Sequence, residues 1–219
     1  LSFFVAILVI FLVFWIWYPA PLQQAQGVTD IFLILLFVDV CLGPLLTFVV
    51  YNPEKKHLLL DLVIIVCIQA AALGYGVYTI FQGRPAFIVF SVDRFETIST
   101  SEILPKSQTL ARKNNNTLAT PGWLGPQWVA ASPSENKKRR EQILFASVLD
   151  GIDWPQLPEL YTPLSDSKAQ ILKKSKTLEE LRKLHNGKVN IDAALEMPIN
   201  DEVKWLPLKS KAKNMVVLV

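Results

Sequence analysis

Three long apolar runs at the start of the chain constrain its fold more than any other feature. Residues 1–29 contain no Asp, Glu, Lys or Arg, and Phe3 to Tyr18 is almost unbroken hydrophobic sequence. A second run extends from Ile31 to Tyr51 and carries Asp39, and a third extends from Leu58 to Phe81 and carries Asp61. As a helix, Ile31 to Tyr51 reaches about 32 Å, enough for a hydrocarbon core of roughly 30 Å. The sequence therefore predicts three transmembrane α-helices followed by a small α+β extracytoplasmic domain, divided as residues 1–82 and 83–219. No small-x-small cleavage site follows the first run between Tyr18 and Gln26, so that run is expected to stay as an anchor.

Charge separates the two parts. Of the 22 Lys and Arg residues, 20 lie after Gly83, and the net charge of +3 gives no reason to expect a nucleic acid partner. The short connector holding Lys55 and Lys56 is expected in the cytoplasm, and the uncharged connector Pro19 to Thr29 and the long tail on the far side. Cys41 and Cys67 fall in apolar runs and read as small core residues, not as a disulfide framework. His57 and His185 stand alone, and no zinc spacing, phosphate loop or nucleophile elbow is present. Neither a metal, a cofactor nor an enzymatic activity is expected.

A carboxylate at membrane depth is costly and has a partner or a task. Counting along the helices places Asp39 about 18 Å and Gln69 about 16 Å from the inner ends of their runs, so the two are expected to face each other. Asp39 has two readings: a neutral acid bonded to Gln69 that fixes the bundle, or a recognition point for another protein's membrane helix. Ion transport is the weakest alternative. Gly43 and Pro44 are expected to bend the second run, because Pro44 lacks the N–H that would bond Val40. Asp61 reads as an acid at a helix start, where the macrodipole favours it.

In the tail, Ala86 to Val92 reads as a strand, and Arg84 and Arg94 read as partners of Asp93 or Glu96, with contact to lipid phosphates as the alternative. Residues 105–131 read as a long loop with an aromatic patch. Ser132-Pro133-Ser134-Glu135 has the form of a capping box opening a helix to about Leu149, with Ile143, Leu144, Ser147 and Val148 inward. Further helices are expected from Ser165 to Ser175 and after Thr177. Val203 to Leu208 and Met215 to Val219 read as strands joined by a lysine-rich turn.

These stretches together resemble the TfpX/TfpZ family of type IV pilin accessory proteins. The resemblance rests on Trp17-Tyr-Pro-Ala-Pro-Leu22, Phe37-Val-Asp-Val-Cys-Leu-Gly-Pro-Leu-Leu-Thr47 and Val50-Tyr-Asn-Pro53. It continues through Leu60-Asp61, Gln69, Tyr75-Gly76, Gly83-Arg-Pro85 and Val89-Phe-Ser-Val-Asp-Arg-Phe-Glu96. It is specific over residues 15–96 and loose beyond them. The resemblance implies a multi-pass protein of the bacterial inner membrane, with its C-terminal domain in the periplasm, that assists pilus assembly. The implied partners are a pilin subunit, the lipid bilayer and other pilus assembly proteins. Asp39, Gly43, Pro44, Asp61, Gln69, Arg84, Asp93, Arg94 and Glu96 are the family-type positions, none with a catalytic role. A membrane-anchored regulatory, sensor or transporter-associated subunit is the alternative.

Overall fold

The computed structural model describes residues 2–37, 41, 43–50, 57–133, 136–184 and 203–219. The chain divides into two compact units, Leu1–Arg84 and Pro85–Val219.

In the first unit, α1 (Ser2–Phe11) passes into wider π-helical turns over Leu12–Trp17, and α2 (Leu22–Gln26) follows. Gly27 ends α2 in the left-handed region (φ 68°), where a residue without Cβ is unstrained, and α3 (Val28–Phe37) begins directly after it. Next come α4 (Gly43–Val50) and α5 (Leu58–Gly83). Val9, Val13, Trp17, Tyr18, Val28, Phe32 and Ile80 form the buried cluster of this unit. The Tyr18 hydroxyl donates to the Ile80 carbonyl at 2.8 Å, and the Trp17 and Phe81 rings lie 4.9 Å apart. Gly76 lets Leu35 of α3 press against α5 where any side chain would collide.

The expected fold class of three transmembrane helices does not hold. Among the described residues only α5 is long and apolar enough to cross a membrane. Its 26 residues span about 39 Å, whereas α1, α3 and α4, with 10, 10 and 8 residues, reach only about 12–15 Å. Composition alone cannot distinguish one long apolar helix from an interrupted one. The first run changes helical pitch at Leu12; in the second, α3 and α4 are described over Val28–Phe37 and Gly43–Val50, and residues 38–40 and 42 lie outside the described residues.

The second unit is built on a mixed seven-stranded sheet, larger and more interleaved with helices than a small α+β tail. Strands β1 (Pro85–Ser91) and β2 (Arg94–Ser99) form an antiparallel hairpin, with Phe90 opposite Phe95. Val92 takes a positive φ of 58° at the turn, an uncommon setting for a β-branched residue. Helix α6 (Pro105–Lys113) leads to β3 (Gln127–Ala131), which lies parallel to β1. Helix α7 (Lys137–Asp150) then precedes β4 (Tyr161–Pro163), antiparallel to β3. Helix α8 (Lys168–Lys174), β5 (Lys176–Thr177) and α9 (Leu178–Leu184) come next, and β6 (Lys204–Lys209) and β7 (Met215–Leu218) complete the sheet. The strand order is β4-β3-β1-β2-β6-β5, with β7 pairing β6 along its other side.

Strand β1 is buried along its whole length because strands flank it on both sides and packed layers cover it. Its continuous run Pro-Ala-Phe-Ile-Val-Phe-Ser has the composition of such a strand. Pro207 explains a break in the sheet. Lys204 and Val219 exchange both backbone hydrogen bonds, so by antiparallel alternation Lys204, Leu206 and Leu208 bond toward β7. Trp205 and Pro207 therefore face the other side, where proline has no N–H to give. On that side β5 pairs with β6 at Lys204 and Trp205, and β2 pairs with it only at Leu208 and Lys209.

Several local expectations are corrected. Residues 105–131 are not one loop, since they contain α6 and β3. Pro105 at the helix start and the buried Ser107 and Ala111, four residues apart, make α6 a one-sided helix despite its polar composition. Asn116 is an anchor: its side-chain amide donates to the Tyr161 carbonyl at 2.9 Å and the Pro158 carbonyl at 3.3 Å, and its oxygen accepts from the Leu118 amide. Helix α7 is capped by Asn136, whose side-chain oxygen accepts from the Lys138 and Arg139 amides, not by Ser132. Ser134 and Glu135 lie outside the described residues. Ile143 packs inward as expected, but Leu144 is exposed along with Phe145 and Leu149.

Tyr161 closes the core of this sheet, its ring edge-on to Phe87 at 4.9 Å and its hydroxyl donating to the Pro155 carbonyl. Burial, reinforced by Glu159 and then Glu102, pushes its phenol well above the ordinary value. A raised folded pKa favours the protonated form. The stability it supplies is therefore present below about pH 10 and is lost as pH rises from there toward the folded value. We expect the unfolding midpoint in urea to fall above about pH 10, and Tyr161→Phe to flatten that alkaline slope.

Candidate functional site

Helix α5 carries the candidate surface. Its apolar side chains point outward on nearly every side: Leu59, Leu60, Val63, Ile64, Val66, Ile68, Tyr75 and Tyr78 are exposed, and Ile65 and Ile80 are its buried residues. The exposed face continues on α3 through Ile31, Leu33, Ile34 and Phe37, and on α4 through Leu45, Phe48 and Val49. Monomeric proteins in water rarely expose so much contiguous apolar area. Cys41 and Cys67, expected in a core, are exposed too.

Few polar groups interrupt α5. Asp61 lies in its first turn, half-buried, where the helix dipole favours an acid. Gln69 sits near the middle, its Nε2 shielded from solvent and without a hydrogen-bond partner among the described residues. Its expected neighbour Asp39 lies outside the described residues, as do Lys55 and Lys56. Gly43 and Pro44 open α4. Around Gly74 there is open space, and Ala70, Ala71 and Ala72 are exposed beside it, so another helix has room to come close. At the far end, Thr79 and Gln82 bond within the helix, to the Tyr75 carbonyl and the Tyr78 hydroxyl. Buried Arg84 folds back, donating to the Phe81 carbonyl at 2.9 Å with its guanidinium 3.7 Å from the centre of the Phe81 ring. A cation there suits the helix C-terminus.

In the second unit, Asp93, Arg94 and Glu96 come together on the β1–β2 hairpin. Arg94 Nε lies 3.3 Å from Asp93 and 3.7 Å from Glu96, whose other oxygen accepts from Lys209 Nζ at 3.2 Å. The sequence pointed to the first three residues; Lys209 arrives through the β2–β6 pairing, which nothing in the local sequence announces. Arg139 of α7 pairs with the buried Glu159.

Sequence reasoning also missed an open apolar groove of about 430 Å³ in this unit, walled by Phe95, Trp128, Lys168, Ile171, Val217 and Leu218. Its residues come from four separate elements, so no single stretch of sequence displays it. Among the described residues no group of three His, Cys, Asp or Glu side chains is placed to hold a metal ion.

No family profile and no solved structure matches the chain. Curated relatives do. The chain is 29% identical over its whole length to the fimbrial assembly protein, serogroup E1, of Dichelobacter nodosus, covering 90% of that protein. It is 30% identical to the serogroup I protein of the same organism, covering all of the chain and 90% of the relative. A third, of serogroups C1 and C2, is 42% identical over 48% of the chain and 81% of its own length. With end-to-end similarity at this level, the chain belongs to the family of fimbrial assembly proteins.

Proposed function

We propose that the protein acts in pilus assembly as a membrane-anchored, non-enzymatic accessory of the TfpX/TfpZ type, holding pilin subunits before they enter the pilus. The observation that carries this reading is α5, a 26-residue helix whose apolar side chains face outward and await lipid or another apolar helix. Family membership supports the assembly role. The orientation follows from charge. Lys55 and Lys56 precede α5 and favour the cytoplasm, so Pro85–Val219 emerges in the periplasm of the inner membrane.

A pilin awaiting assembly is a long apolar helix with a periplasmic head, and its helix requires a surface inside the bilayer. The small residues Ala70, Ala71 and Gly74 allow close helix approach. Chaperone-like holding asks for no chemistry beyond these contacts.

The test is pilin recovery on the tagged full chain after mild crosslinking in native membranes. Gly74→Leu is expected to reduce recovered pilin several-fold at unchanged protein level, and Asp39→Asn combined with Asp61→Asn to reduce it as well. Equal recovery from the parent chain and every variant rejects the pilin-holding reading.

A further inference from the structure

We propose that the outer edge of β7 is a peptide-docking site that takes an extended apolar segment with acidic flanks as an added strand. Among the described residues β7 pairs with β6 alone. The Lys204–Val219 hydrogen-bonded pair sets the alternation, so the backbone N–H and C=O groups of Val216 and Leu218 point away from β6. Both side chains are also partly open to solvent, each 36% exposed. An unpaired, apolar edge of this kind is a template for strand addition unless charge or proline blunts it. Neither does so within Met215 to Val219.

The groove supplies the second half of the site. Val217, Leu218 and Val219 form one wall and Phe95, Trp128 and Ile171 much of the remainder, with Trp128 46% exposed. A strand laid along β7 sends alternate side chains to one face of the sheet, where this apolar hollow can receive them. Backbone pairing supplies affinity in such complexes and the hollow supplies selectivity.

Charge identifies the occupant. Residues 203–219 contain Lys204, Lys209, Lys211 and Lys213 and no acid, and α8 adds Lys168, Lys173 and Lys174. Lys209 and Lys211 are committed to Glu96 and Glu102. The other five have no ion-pair partner among the described residues, and Lys168 stands in the groove wall. Asp166, the acid nearest to Lys168 along the chain, accepts from the Ser165 hydroxyl, and Asp201 and Glu202, just ahead of Lys204, lie outside the described residues. Two such edges would set lysines against lysines, so an acidic partner strand is favoured over a second copy of the chain.

The proposal is independent of the α5 reading, since its probe is a peptide and needs no pilin. The full chain in detergent micelles is titrated, by fluorescence anisotropy, into a labelled peptide of alternating valine and threonine with glutamate at each end. A lysine-ended counterpart is run alongside. We expect the glutamate peptide to bind about tenfold tighter at low salt, with the difference shrinking as salt rises. Val216→Pro removes an outward N–H while leaving the bonds to β6, and is expected to weaken binding about tenfold. Lys168→Glu, which leaves the strand untouched, should reverse the preference between the two peptides. Equal binding of both peptides, or full binding by both variants, overturns the proposal. So does dimerisation in sedimentation that Val216→Pro abolishes, because the occupant would then be a second copy.

Discussion

Phe87→Ala is expected to lower the stability of the second unit by about 3–5 kcal/mol, which places it among the most damaging single changes in this chain. Phe87 is fully buried in β1, between β2 and β3, and meets the edge of the Tyr161 ring as well as Val89, Ile98 and Val129. Removing the ring leaves a cavity that a central strand held on both sides cannot collapse to fill. Urea unfolding followed by tryptophan fluorescence should show the shift. Leu144→Ala, on the exposed side of α7, is the matched control and should change stability by less than about 0.5 kcal/mol. Comparable losses from both would mean that β1 is not the centre of the core.

Ile68→Arg is expected to abolish stable membrane integration. Ile68 lies near the middle of α5 and is 60% exposed, so the proposed span would carry a cation deep in hydrocarbon. On translocon scales a central arginine costs about 2.5–3.5 kcal/mol, and from Ile68 either end of the helix is about 15 Å or more away. Leu59→Arg, in the first turn, should be tolerated because a long side chain there can reach the interface. Alkaline carbonate extraction of membranes reads both variants. If Ile68→Arg stays in the pellet like the parent chain, α5 is not the anchoring segment.

Legibility from sequence varied with the range of the interactions. The β1 run, the β6 and β7 strands around the lysine turn, and the acid at the start of α5 could all be read locally, because burial on both faces, turn composition and helix polarity leave marks within a few residues. The first apolar run does not show its interruption in the sequence, since hydropathy does not register a change to π-helical turns at Leu12. Helix α6 and strand β3 were hidden by Asn, Gly and Pro, although Pro105, Ser107 and Ala111 were visible in hindsight as a helix start and its buried side. Within the candidate sites, the Asp93, Arg94 and Glu96 grouping was readable. Lys209, the groove walls and the Asn116 anchor were not, because each depends on pairing between distant segments.

The position of β6 governs when this protein can finish folding during synthesis. Strand β2 has β1 on one side from the outset, but its other side is filled by residues made more than a hundred positions later, as the Glu96–Lys209 bond records. Until the segment holding β6 leaves the ribosome, β2 remains an open edge. Assembly of the sheet is then limited by a late, long-range closure, slow in the way non-local β pairing is slow. A chain truncated ahead of Lys204 would carry almost the whole sequence and still expose that edge, making it a target for proteolysis and aggregation.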